Sequence, residues 1–202
     1  MRPTLLRRHL TAFGAGYLLG TIPSADLVAR RFLGKDPRSA GSGNPGAANV
    51  ASVIGPTAGL VVLAADISKG AAAGRLGGRL AGAVGADLAS TAAVVGHCYP
   101  VWNGFRGGKG VATSVGQVLA TLPAYFPIDV AVAVATSALP WWKQRAFAAT
   151  MAASVAWILG AALWWRRQWP NAWGPTPGPS LPLAALASST VICRRFLEGN
   201  RS

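Results

Sequence analysis

Nine residues, Gly41-Ser42-Gly43-Asn44-Pro45-Gly46-Ala47-Ala48-Asn49, place three glycines, a hydroxyl and two amides between two hydrophobic segments. Glycine reaches backbone conformations closed to other residues. Successive N–H groups turned inward make an anion-binding nest. A helix starting after Pro45 would add its positive end. Ser42, Asn44 and Asn49 can contact phosphate oxygens or a hydroxyl. The stretch reads as a loop for a phosphorylated ligand; the alternative is a Gly-Pro turn joining two helices.

A second polar stretch, Asn103-Gly104-Phe105-Arg106-Gly107-Gly108-Lys109-Gly110, follows His97. An imidazole titrates near neutrality and can take or give a proton. Arg106 and Lys109 supply fixed positive charge, and Gly107-Gly108 is expected to supply accessible N–H groups. Together they suit an anionic group held while a neighbouring oxygen reacts. The alternative is an interfacial histidine beside ordinary basic membrane anchors. Asp66 and Lys69 are three apart and share a helical face. They are either a self-neutralising pair or the polar wall of a substrate cleft. The second loop is not a P-loop, because Lys109 is followed by Gly110 and position 103 is Asn.

The elements that must position these residues are apolar. Of 202 residues 51% are hydrophobic and only 12% charged, with mean hydropathy +0.37. A soluble domain carries about 25% charged residues. The hydrophobicity comes in long runs, so the expectation is an all-α, polytopic membrane helix bundle forming a single domain over 1–202. Runs are read at 9–31, 49–74, 80–101, 111–140 with a break at Pro123 to Pro127, 146–165 and 181–193. These count as seven transmembrane helices, or six as the alternative. Asp26 interrupts the first run and is expected to point inward or lie near the surface. Asp129, near the break, is expected at the interface. Gly74, Gly78 and Gly82 are spaced for close helix packing or a helix end. Residues 32–48, with Lys35, read as the first long loop, Trp141-Trp142-Lys143-Gln144-Arg145 as a boundary with aromatic and basic anchors, and 168–180 as an extended surface connector.

The formal charge of +13 suits loops facing anionic lipid or an anionic substrate. The basic residues form no single stripe, which argues against nucleic acid. Cys98 and Cys193 lack metal-ligand spacing and give no disulfide framework. No metal site is expected. With the N-terminus outside, basic residues are in modest excess on the cytoplasmic side, and both Gly-rich loops fall there together.

Five motifs then occur in order: Tyr17-Leu18-Leu19-Gly20-Thr21-Ile22-Pro23-Ser24, Gly41 to Val50, Asp66-Ile67-Ser68-Lys69-Gly70, Gly96-His97-Cys98-Tyr99-Pro100-Val101 and Gly104 to Thr113. In these the chain resembles the bacterial membrane glycerol-3-phosphate acyltransferases that use acyl phosphate. The resemblance implies a seven-helix enzyme of the bacterial plasma (inner) membrane with its site facing the cytoplasm. The implied reaction moves an acyl group from acyl phosphate to the sn-1 hydroxyl of glycerol 3-phosphate. Lysophosphatidic acid and phosphate are the products, in phospholipid synthesis. No cofactor is implied, whether metal, nucleotide or coenzyme A.

On this reading His97, Ser42 and Lys109 are the catalytic candidates. Gly41, Gly43, Asn44, Gly46, Asn49, Asp66, Lys69, Arg106, Gly107, Gly108 and Thr113 are the candidates for holding substrate phosphate. His97 takes the hydroxyl proton or orients a substrate, and the departing phosphate is an alternative base. The chain departs from the family pattern at Ala48, where Thr is usual, and at Ser52, where Arg is usual. Ser189-Thr190-Val191-Ile192 stands where a His-Arg-x-Asn pattern is usual. Arg38, Arg194 and Arg195 are candidates to replace the missing cation. The competing readings are an inactive paralogue and a membrane transporter or binding protein for a phosphorylated solute.

Overall fold

Proline and glycine divide the apolar runs into more pieces than hydropathy alone suggests. The computed structural model describes residues 3–34, 36–139 and 145–199. The expected 9–31 run is two helices, α1 (Pro3–Gly20) and α2 (Ser24–Leu33). Pro23 lacks the N–H that would continue the ladder, and it separates them. Gly34, at φ 63°, closes α2 in the left-handed region and donates its N–H to Arg30 O. A 3₁₀ turn at Pro37–Ser39 leads into the Gly-rich loop, and α3 (Ala47–Val53) follows.

Helix α4 (Pro56–Cys98) contains 43 residues, about twice the length needed to cross a bilayer. It does not run straight. Ala81 and Gly82 leave helical geometry, with Gly82 at φ 65° and ψ −157°. Two arms, 56–80 and 83–98, fold back on each other there. Gly77 and Gly85 face so closely that a methyl on either would overlap the other's carbonyl oxygen. Of the three glycines spaced by four, Gly82 is the turn and Gly74 packs against Ala120 and Ser90, while Gly78 has ordinary room.

Small residues set the remaining contacts. Gly16 and Gly20 of α1 abut Ala89 and Ala93 of the second arm, and Gly96 abuts Tyr17. Helix α5 (Val111–Thr121) lies on the first arm, with Gly116 against Ile67 and Thr113 against Gly70. Such contacts let helix backbones approach without water between them.

The expected break in 111–140 is present. After α5 comes a 3₁₀ turn at Pro123–Tyr125 and then α6 (Phe126–Ala138), with a bend of 117° between the helices. At 11 residues, α5 is about 16 Å long, roughly half the hydrocarbon thickness. Helices α7 (Arg145–Arg167) and α8 (Ser180–Gly199) complete the fold. Val118, Leu122, Tyr125, Trp157, Ala161, Leu181 and Ala185 form the largest apolar cluster where α5 to α8 meet. Two described helices are long and apolar enough to cross a membrane, or three if α5 and α6 count as one bent span. Seven separate passes are therefore more than length and composition alone establish.

Contacts define two ends. At one, Arg38 reaches Arg106 O and Arg195 reaches Gly107 O, so the two Gly-rich loops and the end of α8 lie together. At the other, Asn171 Nδ2 donates to Thr121 O and Ser180 Oγ donates to the buried Asp87 at 2.6 Å. The connector there carries Trp169 edge-on to Trp164, and Trp173 donating its indole N–H to Leu119 O. Thr4, Arg7, Arg8, Thr11 and Leu80 line a hollow at that end. Exposed Arg75, Arg79, Arg166 and Arg167 lie near or at helix ends on the same side. None of these six arginines pairs with a carboxylate among the described residues. Lys35 and the expected anchors Trp141, Trp142, Lys143 and Gln144 lie outside the described residues.

Candidate active site

The hairpin of α4 brings His97, near the end of its second arm, level with Asp66 and Lys69 on its first. Asp66 Oδ1 lies 2.9 Å from Lys69 Nζ and 3.5 Å from His97 Nδ1. All three side chains are buried, Asp66 at 2% exposure. Lys69 also donates to Ile22 O at 3.0 Å, an acceptor placed there by the break between α1 and α2. The self-neutralising pair expected of Asp66 and Lys69 is present. They neutralise each other, and they line the innermost cavity with His97. A buried ion pair adds little net stability, but loss of one partner leaves a costly lone charge.

The outer wall of that cavity is a second charge network. Arg38 Nη1 donates to Asp26 Oδ1 at 2.8 Å and to Asp36 Oδ1 at 3.0 Å, and its Nη2 donates to Arg106 O at 2.9 Å. Asn103 Nδ2 donates to the other oxygen of Asp26. Asp26, expected inward or at the surface, is buried and paired. The backbone N–H of Arg38 above all, helped by its guanidinium, holds the carboxyl of Asp36 below its usual range against the opposing effect of burial.

Two larger spaces open from this point. A basin of about 570 Å³ is lined by four cations, Arg38, Arg106, Lys109 and Arg195, by Ser42 and Asn44, and by one carboxylate, Glu198. A mostly apolar cleft of about 350 Å³ runs from His97 and Lys109 between Leu63, Val111, Val115 and Phe196. Lys109 belongs to both, its Nζ 4.1 Å from the centre of the Phe196 ring. Burial, and secondarily the nearby Arg195, lower the pKa of Lys109. Arg195 stacks on Tyr99 and donates to Gly107 O at 2.7 Å and Gly108 O at 3.3 Å, while Glu198 accepts from it at 2.8 Å.

Several of the expected ligand groups also hold the loops together through internal hydrogen bonds. Asn49 is 4% exposed; its Oδ1 accepts from Ser42 N and Ser42 Oγ, and its Nδ2 donates to Pro37 O and Ala40 O. The N–H groups of Ser42, Gly43 and Gly46 are bonded to Asn49 Oδ1, Ala40 O and Asn44 O. The loop is therefore not a row of free amides. Gly41, at φ 60°, has no room for a side chain beside Asn49. Gly107 and Gly108 donate to Cys98 O and His97 O, so their N–H groups are not accessible either. They provide closeness instead: a methyl on Gly108 would strike His97 Nε2. Thr113 is fully buried between α5 and the first arm of α4, away from all three spaces.

The structure brings Ser42, Gly43, Asn44, Gly46, Asn49, Asp66, Lys69, His97, Arg106, Gly107, Gly108 and Lys109 to the walls of these three spaces, and leaves Gly41 and Thr113 out of them. Ser52 lies exposed on α3 and donates to Asn49 O. The cations facing the basin include Arg38 and Arg195, two of the three candidates to replace an arginine at 52. Arg194 is mostly exposed and pairs with Glu198. Among the described residues no group of three or more His, Cys, Asp or Glu could hold a metal ion.

A buried histidine, a cationic basin and an apolar cleft lie together at one end of a helical membrane protein, an arrangement with room for an anionic group and for an apolar chain. A sequence model of the family described as glycerol-3-phosphate acyltransferase matches residues 10–198. The chain belongs to that family. A glycerol-3-phosphate acyltransferase 2 of Moorella thermoacetica is 39% identical over 161 residues, 80% of this chain and 81% of that protein. A glycerol-3-phosphate acyltransferase of Exiguobacterium sibiricum is 50% identical over 111 residues, 55% of this chain and 54% of its own length. One from Symbiobacterium thermophilum is 47% identical over 124 residues, covering 61% and 60%. Matched stretches thus span little more than half of these last two relatives. Crystal structures of PlsY, an integral membrane glycerol 3-phosphate acyltransferase, superpose over 96% of this chain and 90% of theirs. The glycerol 3-phosphate form gives a TM-score of 0.79 at 29% identity, and the lysophosphatidic acid form 0.74 at 26%.

Proposed function

We propose that this protein transfers an acyl group from acyl phosphate to the sn-1 hydroxyl of glycerol 3-phosphate. The products are lysophosphatidic acid and inorganic phosphate. The observation that carries this reading is the junction at Lys109, Ser42 and Asn44, where the cationic basin meets the apolar cleft that His97 also lines. Both substrates carry phosphate, and one carries an alkyl chain. In this reading Arg38, Arg106, Lys109 and Arg195 balance the phosphates, with Ser42 and Asn44 as polar contacts. The cleft takes the alkyl chain.

The hydroxyl oxygen attacks the acyl carbonyl carbon, the carbon–oxygen bond to phosphate breaks, and phosphate leaves with the electron pair. Acyl phosphate is already activated, so positioning and charge stabilisation can provide much of the rate. Asp66 faces Nδ1 of His97, which fits Nε2 for accepting the hydroxyl proton. The leaving phosphate is the other group able to take it. In this reading the chain crosses the bacterial plasma membrane seven times, as α1, the two arms of α4, α5, α6, α7 and α8. Both Gly-rich loops then face the cytoplasm.

Purified protein supplied with palmitoyl phosphate and glycerol 3-phosphate should release phosphate and form lysophosphatidic acid, with little turnover of palmitoyl-coenzyme A. Lys109→Ala should lower kcat/KM by about 100-fold. A His97→Ala variant that turns over undiminished would assign the proton to the leaving phosphate. An inactive paralogue is the second reading, favoured by Ser52, which puts a small hydroxyl at the position where the family usually has an arginine. Well-folded protein without turnover of either donor would establish it.

A further inference from the structure

Beside the apolar cleft lies another cavity, of about 110 Å³, enclosed by α5, α6, α7 and α8. The two share Val111, Val115 and Thr150 as walls, so they adjoin, and the smaller lies beyond the cleft along α7. Along α7 the lining runs from Ala146 through Thr150, Ala153 and Ser154 to Trp157. That is twelve residues of helix, eleven rises or about 16 Å. Trp157 closes the track. It is 4% exposed and packs on Tyr125 at 5.7 Å within the largest apolar cluster, so it cannot yield to a ligand without disturbing the core.

The far wall also holds Asp129, the one carboxylate facing this cavity among the described residues, with no cation paired to it. Methylene groups pushed against a carboxylate displace its water and return nothing for it. The cavity therefore has an apolar approach, a rigid end and a polar penalty at that end.

We propose that this cavity is the terminal acyl-chain subsite, with Trp157 as the end wall and Asp129 as the polar limit that together set the longest chain accepted. The proposal rests on the acyltransferase reading. The occupant is the tail of the acyl donor, because the cavity continues the cleft that begins at His97 and Lys109. Chains that stop before Asp129 fill the track, and longer ones must bend out or meet the carboxylate.

The test is a donor series of lauroyl, myristoyl, palmitoyl and stearoyl phosphate on wild type, Ala153→Leu and Asp129→Leu. Ala153→Leu fills the track short of Trp157. It should lower kcat/KM for stearoyl relative to lauroyl phosphate by about tenfold or more, the scale on which a hydrophobic pocket reads single methylenes. Asp129→Leu should raise the ratio of stearoyl to palmitoyl phosphate. Each ratio is taken on one preparation, so partial misfolding cancels. Ratios equal to wild type in both variants would overturn the proposal. If wild type turns over no acyl phosphate, thermal stabilisation by lysophosphatidic acids of the same four chain lengths reads the subsite without catalysis. A length dependence that moves with Ala153→Leu keeps the subsite while the activity reading fails, and stabilisation indifferent to length removes the subsite.

Discussion

Lys109 is the residue on which the basin and the cleft converge, and its environment gives it a testable signature. Burial first, and then the charge of Arg195, favour the neutral amine and lower its pKa. As pH rises, Lys109 loses its proton earlier than an ordinary lysine would. Its contribution to holding phosphate is present at neutral pH and lost on the alkaline side. The KM for glycerol 3-phosphate should therefore rise with alkaline pH in wild type. In Lys109→Arg, whose guanidinium stays charged, it should stay flat over the same range. Superimposable KM profiles would mean that the charge at 109 is not what holds the phosphate. The placing of Lys109 was legible in the sequence as a basic residue in a Gly-rich loop after a histidine, and the structure sets it on the walls of both spaces. The bonding of Arg38 was not legible. Its partner Asp26 is twelve residues away across a helix end, and its contact with Arg106 O joins two loops far apart in the chain. The pattern also overstated the glycines, since spacing cannot say which N–H groups the loop consumes internally.

At the scale of elements, the break in α4 decides whether the site exists. Gly82 combines φ 65° with ψ −157°, a region essentially reserved for glycine. Open space surrounds it, so a side chain there is opposed by backbone strain and not by collision. Gly82→Ala should destabilise the protein by about 1–3 kcal/mol in thermal unfolding. An unchanged melting temperature would show that the turn tolerates another geometry. The spacing of Gly74, Gly78 and Gly82 announced packing or a helix end. It could not assign the three positions, because glycine serves both purposes. The breaks at Pro23 and at Pro123 have a chemical cause visible in the sequence, the missing N–H of proline. Only the second was read as ending a helix. In the first, apolar residues continue on both sides of Thr21–Pro23, and hydropathy joined what the backbone divides.

At the scale of the molecule, the two ends are chemically different, and the proposed topology places them on opposite sides of the membrane. Ser39, exposed near the site, and Trp173, exposed in the far connector, report on this directly. An impermeant maleimide should label Trp173→Cys in intact cells and Ser39→Cys only after the membrane is opened. Labelling of both from one side would require an even number of passes between them and refute the seven-pass count. Composition was enough to make the fold an all-helical membrane bundle. Hydropathy separated the two arms of α4 as runs 49–74 and 80–101, but it was not enough to fix the number of passes, since α5 and α6, at 11 and 13 residues, are each too short to establish a span by length.

The unpaired arginines of the far end carry a consequence for biogenesis. If Arg7, Arg8, Arg75, Arg79, Arg166 and Arg167 finish outside, each has been moved outward against an interior-negative voltage. That work is about 2.3 kcal/mol per charge for every 100 mV. An energised membrane thus resists the final orientation of this chain, and the opposing work grows in proportion to the voltage. The insertion machinery, with the apolar helices behind it, must supply that work before any of the chemistry at the other end can begin.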